Sequence, residues 1–206
     1  MVPQIYPITD ARISGLSHLE QVKLLIAGGA TCIQLREKYA SPREFYEQAV
    51  ECVTFARARG VKIIINDRAD IALISDADGV HLGQDDMPPE AARRLLGDGK
   101  IIGYSTHSVE QAIEAAKLAV DYIAIGPVFQ TDTKTDPDPV VAVEGIAAVR
   151  AATGIVPLVA IGGIDLSNIA AVLDAGADSV AMIGAILTHP LGLEQAMRAA
   201  VIAASV

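Results

Sequence analysis

The chain lacks tryptophan, and aromatic residues make up only 4% of its 206 residues, so few side chains are available to stack on nucleic-acid bases. Its net charge of −9 and isoelectric point of about 4.8 disfavour binding to nucleic acids or to anionic membranes. No apolar run approaches the ~20 residues of a membrane-spanning helix, and no basic stretch followed by a long apolar segment is present at the start. We therefore expect a cytoplasmic protein that binds neither nucleic acid nor membrane and recognises any anionic ligand locally.

Cysteine is also scarce. Neither Cys32 nor Cys52 has a cysteine or histidine at metal-ligand spacing, so both are predicted to be buried free thiols. Hydrophobic residues, in contrast, make up 51% of the chain, mostly as short blocks of Ala, Ile, Val and Leu. Such blocks are typical of strands buried on both faces and of helices packed upon them.

Short apolar runs alternate with helical patterns along the whole chain. Strands are predicted at 4–8, 31–35, 62–66, 79–82, 101–105, 122–125, 157–161 and 179–183. Helices are predicted at 17–27, 41–59, 68–75, 88–96, 108–119, 143–152, 166–175 and 191–204, and several have start signals, namely Ser41 with Glu44, Ser108, and Asp165. This alternation implies parallel pairing, and eight units predict an α/β fold, a (β/α)8 TIM barrel in a single domain.

A weak internal repeat supports closure of the barrel. Residues 78–83, 121–126 and 178–184 each contain an acidic residue, a strand and a glycine at the end of the strand. An open doubly wound sheet is the alternative, but its glycine-rich first turn has no counterpart in residues 9–12. Residues 130–139 are polar and contain two prolines, which indicates a lid or binding loop, with a tolerated surface insertion as the alternative.

The run from Gln34 to Lys38 follows the second predicted strand. Alternation along a strand puts Gln34, Arg36 and Lys38 on one face and Leu35 and Glu37 on the other. Two cations and an amide at the end of a buried strand need an anionic partner, although a solvated strand end is an alternative. We expect Leu35 and Glu37 to point away from the barrel interior and to support the strand.

Two carboxylates, Asp67 and Asp86, follow the third and fourth predicted strands, which lie ~4.8 Å apart if they are neighbours. Taken alone, Asp67 is better explained as the N-cap of the next helix. A phosphate beside two carboxylates is repelled by roughly 4 kcal/mol per charge pair at 4 Å and an effective dielectric constant near 20. Because a divalent cation reverses that sign, and Mg²⁺ suits one or two carboxylates plus phosphates, we expect a metal-bound diphosphate here.

The ends of the last two predicted strands carry Gly162-Gly163 and Ile183-Gly184. Loops at these positions of a barrel often bind a phosphate through backbone N–H groups, so a second, single phosphate is expected there. Tight packing between strand and helix is the alternative explanation of the glycine pair.

No acid–base pair or nucleophile stands out in the sequence. Ser105 has His107 nearby but no orienting carboxylate, so a catalytic triad is poorly supported. A reaction in which a metal-bound diphosphate leaves needs positioning and leaving-group stabilisation rather than a base.

At these residues the chain resembles the thiamine-phosphate synthase family. The motifs that carry the resemblance lie in family order over almost the whole chain, at 34–38, 64–68, 78–86, 105–107, 126–129 with 131–134, and 160–164. The resemblance implies a (β/α)8 barrel that joins a hydroxymethylpyrimidine diphosphate to a thiazole phosphate and releases pyrophosphate with Mg²⁺. It also implies small-molecule substrates, and a homo-oligomer is left open.

Site residues follow from the same resemblance. The pyrimidine diphosphate would be held by Gln34, Leu35, Arg36, Glu37, Lys38, Asn66 and Ser105. The thiazole phosphate would be held by Thr131, Asp132, Thr133, Lys134, Gly163, Ile183 and Gly184. Mg²⁺ would be bound by Asp67 and Asp86. The catalytic roles would fall to Arg36, Lys38, Ser105 and Lys134, the last of which would neutralise charge on the leaving pyrophosphate.

Two residues depart from the family pattern. Gly184 stands where the family typically has Ser, and Asp132 replaces the usual Pro. The alternatives are a thiazole tautomerase-type isomerase of the same fold, with a histidine near His107 as proton carrier, and a non-catalytic paralogue that binds thiazole phosphate. The retention of Asp67, Asp86 and Lys38 favours the synthase.

Overall fold

The strands form a closed barrel in the computed structural model, which describes residues 2–131 and 138–205. Their bounds are β1 Ile5–Thr9, β2 Cys32–Leu35, β3 Lys62–Asn66, β4 Gly79–Leu82, β5 Ile101–Thr106, β6 Tyr122–Ile125, β7 Leu158–Ile161 and β8 Ser179–Met182. Every strand is parallel to its sequence neighbours, and β8 pairs with β1. The predicted (β/α)8 barrel is confirmed, and each strand bound agrees with its prediction to within one residue.

Helices alternate with the strands. Within the described residues they are α1 Ala11–Ser14, α2 His18–Ala27, α3 Pro42–Arg57, α4 Ala69–Ile74, α5 Pro89–Leu96, α6 Val109–Ala115, α7 Ala142–Thr153, α8 Ile169–Asp174, α9 Gly184–Leu187 and α10 Leu193–Ala203. The sequence prediction missed α1 and α9, because four residues are too few for a helical period. None of the helices described is long and apolar enough to cross a membrane.

Two of the three predicted helix start signals are confirmed. Ser41 and Glu44 form the predicted capping box of α3, and Ser108 caps α6. The predicted start at Asp165 is wrong by a few residues, because α8 begins only at Ile169. The Asp165 carboxylate accepts the backbone N–H of Ser167, 2.8 Å away, and so forms a local turn before the helix.

The repeated acidic residues join neighbouring strands. Asp78 donates its N–H to the carbonyl of Ile63 and accepts the N–H of the same residue at 2.8 Å. Asp121 exchanges the same two bonds with Ile102, and Asp178 with Leu158. The repeat therefore has a structural basis, since it fixes the starts of β4, β6 and β8 against the strand that precedes each of them.

The apolar residues form two layers. The larger layer lies between barrel and helices and includes Leu35, which is fully buried. The smaller layer fills the barrel interior and includes Tyr6, Cys32 and Tyr122. The prediction that Leu35 points away from the interior is confirmed, as is that of Cys32 and Cys52 as buried free thiols.

Candidate active site at the carboxyl end of the barrel

The run after β2 meets carboxylates of the chain itself. Gln34 Nε2 donates to the hydroxyl of Tyr6 at 3.2 Å, inside the barrel. Arg36 pairs with Asp10, and Lys38 pairs with Asp67. β2 ends at Leu35, so Arg36 and Lys38 extend from the following loop. The anionic partners that these two cations require are thus supplied in part by the ends of β1 and β3.

Glu37 holds the loop that carries both cations. Its carboxylate accepts the backbone N–H groups of Tyr39 and Ala40, at 2.7 and 3.0 Å, and lies 3.3 Å from His18 Nε2. Burial raises the pKa of Glu37, but these hydrogen bonds outweigh it and lower the pKa overall. The other ring nitrogen of His18 lies 2.7 Å from Thr9 Oγ1, and burial lowers the pKa of that histidine. Glu37 therefore supports the loop, in keeping with its position opposite Arg36 and Lys38.

Asp67 and Asp86 interact across the ends of β3 and β4. Asp67 has a positive φ of 64°, a conformation that is uncommon outside glycine, and its N–H donates to His81 O at 2.7 Å. Asp86 accepts the N–H of Gly83 at 2.7 Å. Burial raises the pKa of Asp86, and the charge of Asp67 and a hydrogen bond to it raise the pKa further.

The capping explanation of Asp67 is wrong. Helix α4 begins at Ala69 with Arg68 as its cap residue, and no side chain caps it. The carboxylate of Asp67 instead interacts with Lys38 and Asp86. Strained backbone of the kind seen at Asp67 is concentrated at functional sites. Two like charges this close disfavour each other's ionised form, so the pair is suited to a hard divalent cation. The described residues hold no cluster of three or more His, Cys, Asp or Glu that could bind a metal unaided.

A chain of polar side chains runs through the barrel interior. The hydroxyls of Tyr6 and Tyr122 lie 3.2 Å apart, and Tyr122 Oη lies 2.9 Å from His81 Nδ1. His81 Nε2 lies 2.8 Å from Ser105 Oγ. Burial lowers the pKa of His81 to about 4, so the ring is neutral near pH 7. The sequence interpretation gave no role to Tyr6, Tyr122 or His81. Strand alternation, which puts His81 on the same face as Gly79, was the available signal for His81.

Ser105 and His107 do not form a nucleophile and base. Ser105 Oγ is bonded to His81, whereas His107 Nδ1 lies 2.6 Å from the carbonyl of Gly126 and 3.4 Å from Asp138. Asn66 is largely buried at the end of β3 and pairs in register with His81. The poor support for a triad in the sequence agrees with this arrangement.

The glycine pair after β7 packs against the loop that follows β6. Gly162 and Gly163 have φ values of 103° and 64°. A Cβ on Gly162 would lie 2.6 Å from Pro127 Cα, and one on Gly163 would lie 2.5 Å from the carbonyl of Gln130. Phe129 N donates to Gly162 O at 2.9 Å. Close packing therefore accounts for both glycines, with the loop after β6 rather than a helix as the neighbour.

The end of β8 leads directly into α9. Ile183 is the residue before the helix and Gly184 is its first residue, so the N–H of Gly184 has no partner within the helix. A Cβ on Gly184 would meet no atom within 4 Å. Of the predicted thiazole-phosphate residues, Thr131 lies at the end of the segment after β6, and Asp132, Thr133 and Lys134 lie outside the described residues.

Comparison with known proteins agrees with this geometry. The family model described as thiamine monophosphate synthase matches residues 5–186. The thiamine-phosphate synthase of Chloroflexus aurantiacus is 46% identical over 89% of this chain and 85% of its own. That of Syntrophomonas wolfei is 48% identical over 89% and 88%.

A solved structure shows the same relationship. The thiamine phosphate pyrophosphorylase of Pyrococcus furiosus superposes with a TM-score of 0.88 at 37% identity, covering 98% of this chain and 95% of that one. The resemblance seen in the sequence motifs is confirmed over nearly the full barrel. The chain belongs to the thiamine monophosphate synthase family.

Proposed function

We propose that this chain condenses 4-amino-2-methyl-5-hydroxymethylpyrimidine diphosphate with a thiazole phosphate, or its carboxylated form, to give thiamine phosphate and pyrophosphate. Its family membership makes it a transferase with thiamine-phosphate synthase activity. The observation that carries the proposed mechanism is the juxtaposition of Lys38 with Asp67 and Asp86 at one end of the barrel. A cation flanked by two interacting carboxylates suits a ligand made of a diphosphate and a divalent metal.

Mg²⁺ fits the carboxylate pair. Asp67 and Asp86 offer hard oxygen donors, and their interaction raises the pKa of Asp86 when no cation lies between them. Mg²⁺ usually binds one or two carboxylates and completes its shell with water and substrate phosphates. When bound, it would supply neutralisation of the negative charge that develops on the diphosphate.

The protein side chains would act on the leaving group. The C–O bond between the pyrimidinylmethyl carbon and the diphosphate breaks, and its electron pair leaves with the pyrophosphate. Arg36, Lys38 and Lys134 would stabilise that charge, and Ser105 would donate a hydrogen bond to it. The unprotonated thiazole nitrogen then forms the new C–N bond with its lone pair, so no general base is required.

The second substrate would bind on the opposite side of the mouth. Backbone N–H groups of Gly163 and Gly184, with Ile183 and the segment from Thr131 to Lys134, would hold its phosphate. Gly184 begins a helix, and unpaired N–H groups at such a position favour an anion. Leu35 is buried outside the barrel and would contribute through its backbone only, whereas Glu37 would act through the loop that it holds.

The isomerase alternative rests on His107. Its Nδ1 carries a proton and donates it to Gly126 O, 2.6 Å away, because a carbonyl only accepts. This leaves Nε2 as the nitrogen that could take up and release a proton. This alternative gives no role to Lys38, Asp67 and Asp86, and we therefore favour the synthase.

Separate substitution of Asp86 and of its sequence neighbour Asp85 tests the proposal. We expect Asp86→Asn to lower thiamine-phosphate formation by about 100-fold or more, as expected when a group that stabilises the leaving charge is lost, and to spare binding of thiazole phosphate. Asp85→Asn, which makes the same change at the adjacent exposed residue, should retain activity within about twofold. Equal activity of both variants would contradict the metal assignment, as would full activity of Asp67→Ala.

A further inference from the structure

The interior polar chain joins two predicted substrate-binding residues on different strands. Gln34 lies on β2 and Ser105 on β5, and within the described residues Tyr6, Tyr122 and His81 link their side chains. Tyr6 and Tyr122 are 1% exposed and Gln34 is 2% exposed, so bulk water does not compete for these bonds. The rings of His81 and Tyr122 also stack, with centroids 5.5 Å apart.

The proton count fixes the direction of the hydrogen bonds. Each of the two phenols has one O–H, and a neutral imidazole has one N–H. A phenol oxygen can also accept two hydrogen bonds, but either phenol would then keep a buried O–H with no acceptor among the described residues. Each of the three middle groups therefore donates on one side and accepts on the other, so all four bonds run in the same direction. Only two arrangements are possible, and the amide of Gln34 selects between them because it either donates through Nε2 or accepts through Oε1.

With the Gln34 amide placed so that Nε2 faces Tyr6, the bonds run in the outward direction. Gln34 Nε2 donates to Tyr6, so Tyr6 donates to Tyr122 and Tyr122 donates to His81 Nδ1. His81 then carries its proton on Nε2 and donates it to Ser105 Oγ. Among the described residues Ser105 Oγ has His81 as its one hydrogen-bond partner, so the serine proton is left to point away from the imidazole. Gln34 Oε1, which accepts no bond from the described residues, is left as an acceptor.

We propose that Gln34, Tyr6, Tyr122, His81 and Ser105 form one directional hydrogen-bond chain that presents Ser105 as a donor to a phosphate oxygen of the ligand. Tyr6, Tyr122 and His81 are positioning residues in this chain and act through Ser105. The proposal rests on the proposed function and deepens it, since it assigns the proton arrangement that a diphosphate requires. The reversed direction would direct the serine proton to His81 and turn only lone pairs towards the anion.

The tautomer of His81 provides a test that does not depend on activity. Protein labelled with ¹⁵N-histidine contains four histidines, and the signals of His81 are identified by their loss in His81→Asn. Nitrogen NMR of the ligand-free chain at pH 7.5 should show the proton on Nε2. A proton on Nδ1 would overturn the proposal.

A double-mutant cycle tests the action through Ser105. Loss of one uncharged hydrogen bond is worth about threefold to tenfold in affinity, so Tyr122→Phe should weaken binding of inorganic pyrophosphate with Mg²⁺ by that factor in calorimetry. In a Ser105→Ala background the same change should have an effect below about twofold, because its route is already lost. Additive losses would mean a merely structural role and would overturn the proposal.

Two further variants keep the test decisive. Tyr6→Phe interrupts the chain one position earlier and should behave as Tyr122→Phe does, which covers the case in which the latter fails to fold. Tyr46→Phe removes a phenol hydroxyl from α3, outside the chain, and should leave pyrophosphate affinity unchanged. A failure to form thiamine phosphate with the Nε2 tautomer intact would count against the proposed function and not against the directional chain.

Discussion

By the sequence resemblance, Gly184 stands where a serine is expected, and it belongs to the proposed thiazole-phosphate site. A side chain added there would meet no atom within 4 Å, and its φ does not lie in the left-handed range. A serine is therefore sterically acceptable, and the missing hydroxyl reflects no constraint of the barrel.

We expect Gly184→Ser to tighten binding of thiazole phosphate by about tenfold to a hundredfold, because a hydroxyl adds one hydrogen bond to a charged acceptor. Calorimetric titration with thiazole phosphate measures this. Gly99→Ser is the matched control, since Gly99 also has no atom within 4 Å of an added Cβ. Unchanged affinity in Gly184→Ser would contradict the assignment of Gly184 to the phosphate site.

The sequence predicted correctly that residues at the ends of adjacent strands lie close together. Lys38, Asp67 and Asp86 follow β2, β3 and β4 in order, so the strand order alone brings them together. Tyr6 and Tyr122 were missed because their contact joins positions 116 residues apart. Such a contact depends on the size and filling of the barrel interior, for which a single sequence has no local signal.

At the scale of elements, the carboxylate of Glu37 stabilises the conformation of the loop after β2. Glu37 binds two N–H groups of its own loop and contacts His18 on α2. The loop in turn holds Arg36 and Lys38 opposite their carboxylate partners.

Removal of this carboxylate should disturb both stability and binding. We expect Glu37→Ala to lower the free energy of unfolding by about 1.5–3 kcal/mol, the range for hydrogen bonds to a charged group, and to raise KM for the pyrimidine diphosphate. Urea denaturation and steady-state kinetics measure the two effects. Glu47→Ala removes an exposed carboxylate paired with Arg43 on α3, and it should change stability by less than about 0.5 kcal/mol. A Glu37→Ala variant as stable as this control would refute the account of the loop.

The contact between the β6 and β7 loops offers a second test. Gly163 and Gly60 have similar φ values, 64° and 70°, so alanine incurs similar backbone strain at both positions. Only Gly163 has close neighbours, whereas an added Cβ on Gly60 meets nothing within 4 Å. We expect Gly163→Ala to be less stable than Gly60→Ala by about 1–3 kcal/mol, measured by urea denaturation. An equal loss of unfolding free energy in the two variants would show that the close approach of Gly163 to the β6 loop does not constrain that loop.

Elements were predicted well from periodicity, and their ends less well. Strand bounds agreed to within one residue because most of the buried apolar runs are bounded by polar residues or glycine. α8 begins later than predicted because Asp165 bonds to Ser167 in a turn, a use of aspartate that competes with capping. The loop after β6 was predicted to bind phosphate, and that prediction stands for Thr131 to Lys134 as a proposal.

At the scale of the whole molecule, closure of the barrel buries ionisable groups that a linear sequence does not pair. His18 lies between Thr9 and Glu37 with Asp10 nearby, and burial lowers its pKa below the usual value near 6.5. Its neutral form is therefore favoured in the folded state relative to the unfolded state.

This shift predicts acid sensitivity. Above pH 6.5 the contribution of His18 to stability is fully present. As the pH falls below 6.5 the unfolded chain takes up a proton that the folded chain resists, so stability is lost, by at most about 1.4 kcal/mol per pH unit for one proton. The depressed pKa of Glu37 acts in the same direction at lower pH. Urea denaturation at several pH values from 7.5 to 5.5 measures how the free energy of unfolding depends on pH. This dependence should be weaker in His18→Gln than in the native chain or in His189→Gln. An identical dependence in all three would show that His18 is not the source of the acid sensitivity.

The most direct test of the account is product formation by the purified chain. With the pyrimidine diphosphate, a thiazole phosphate and Mg²⁺, we predict thiamine phosphate and one equivalent of pyrophosphate, and we predict no product after chelation of the metal. The absence of thiamine phosphate with all three components present, together with interconversion of thiazole tautomers, would contradict the synthase and support the isomerase.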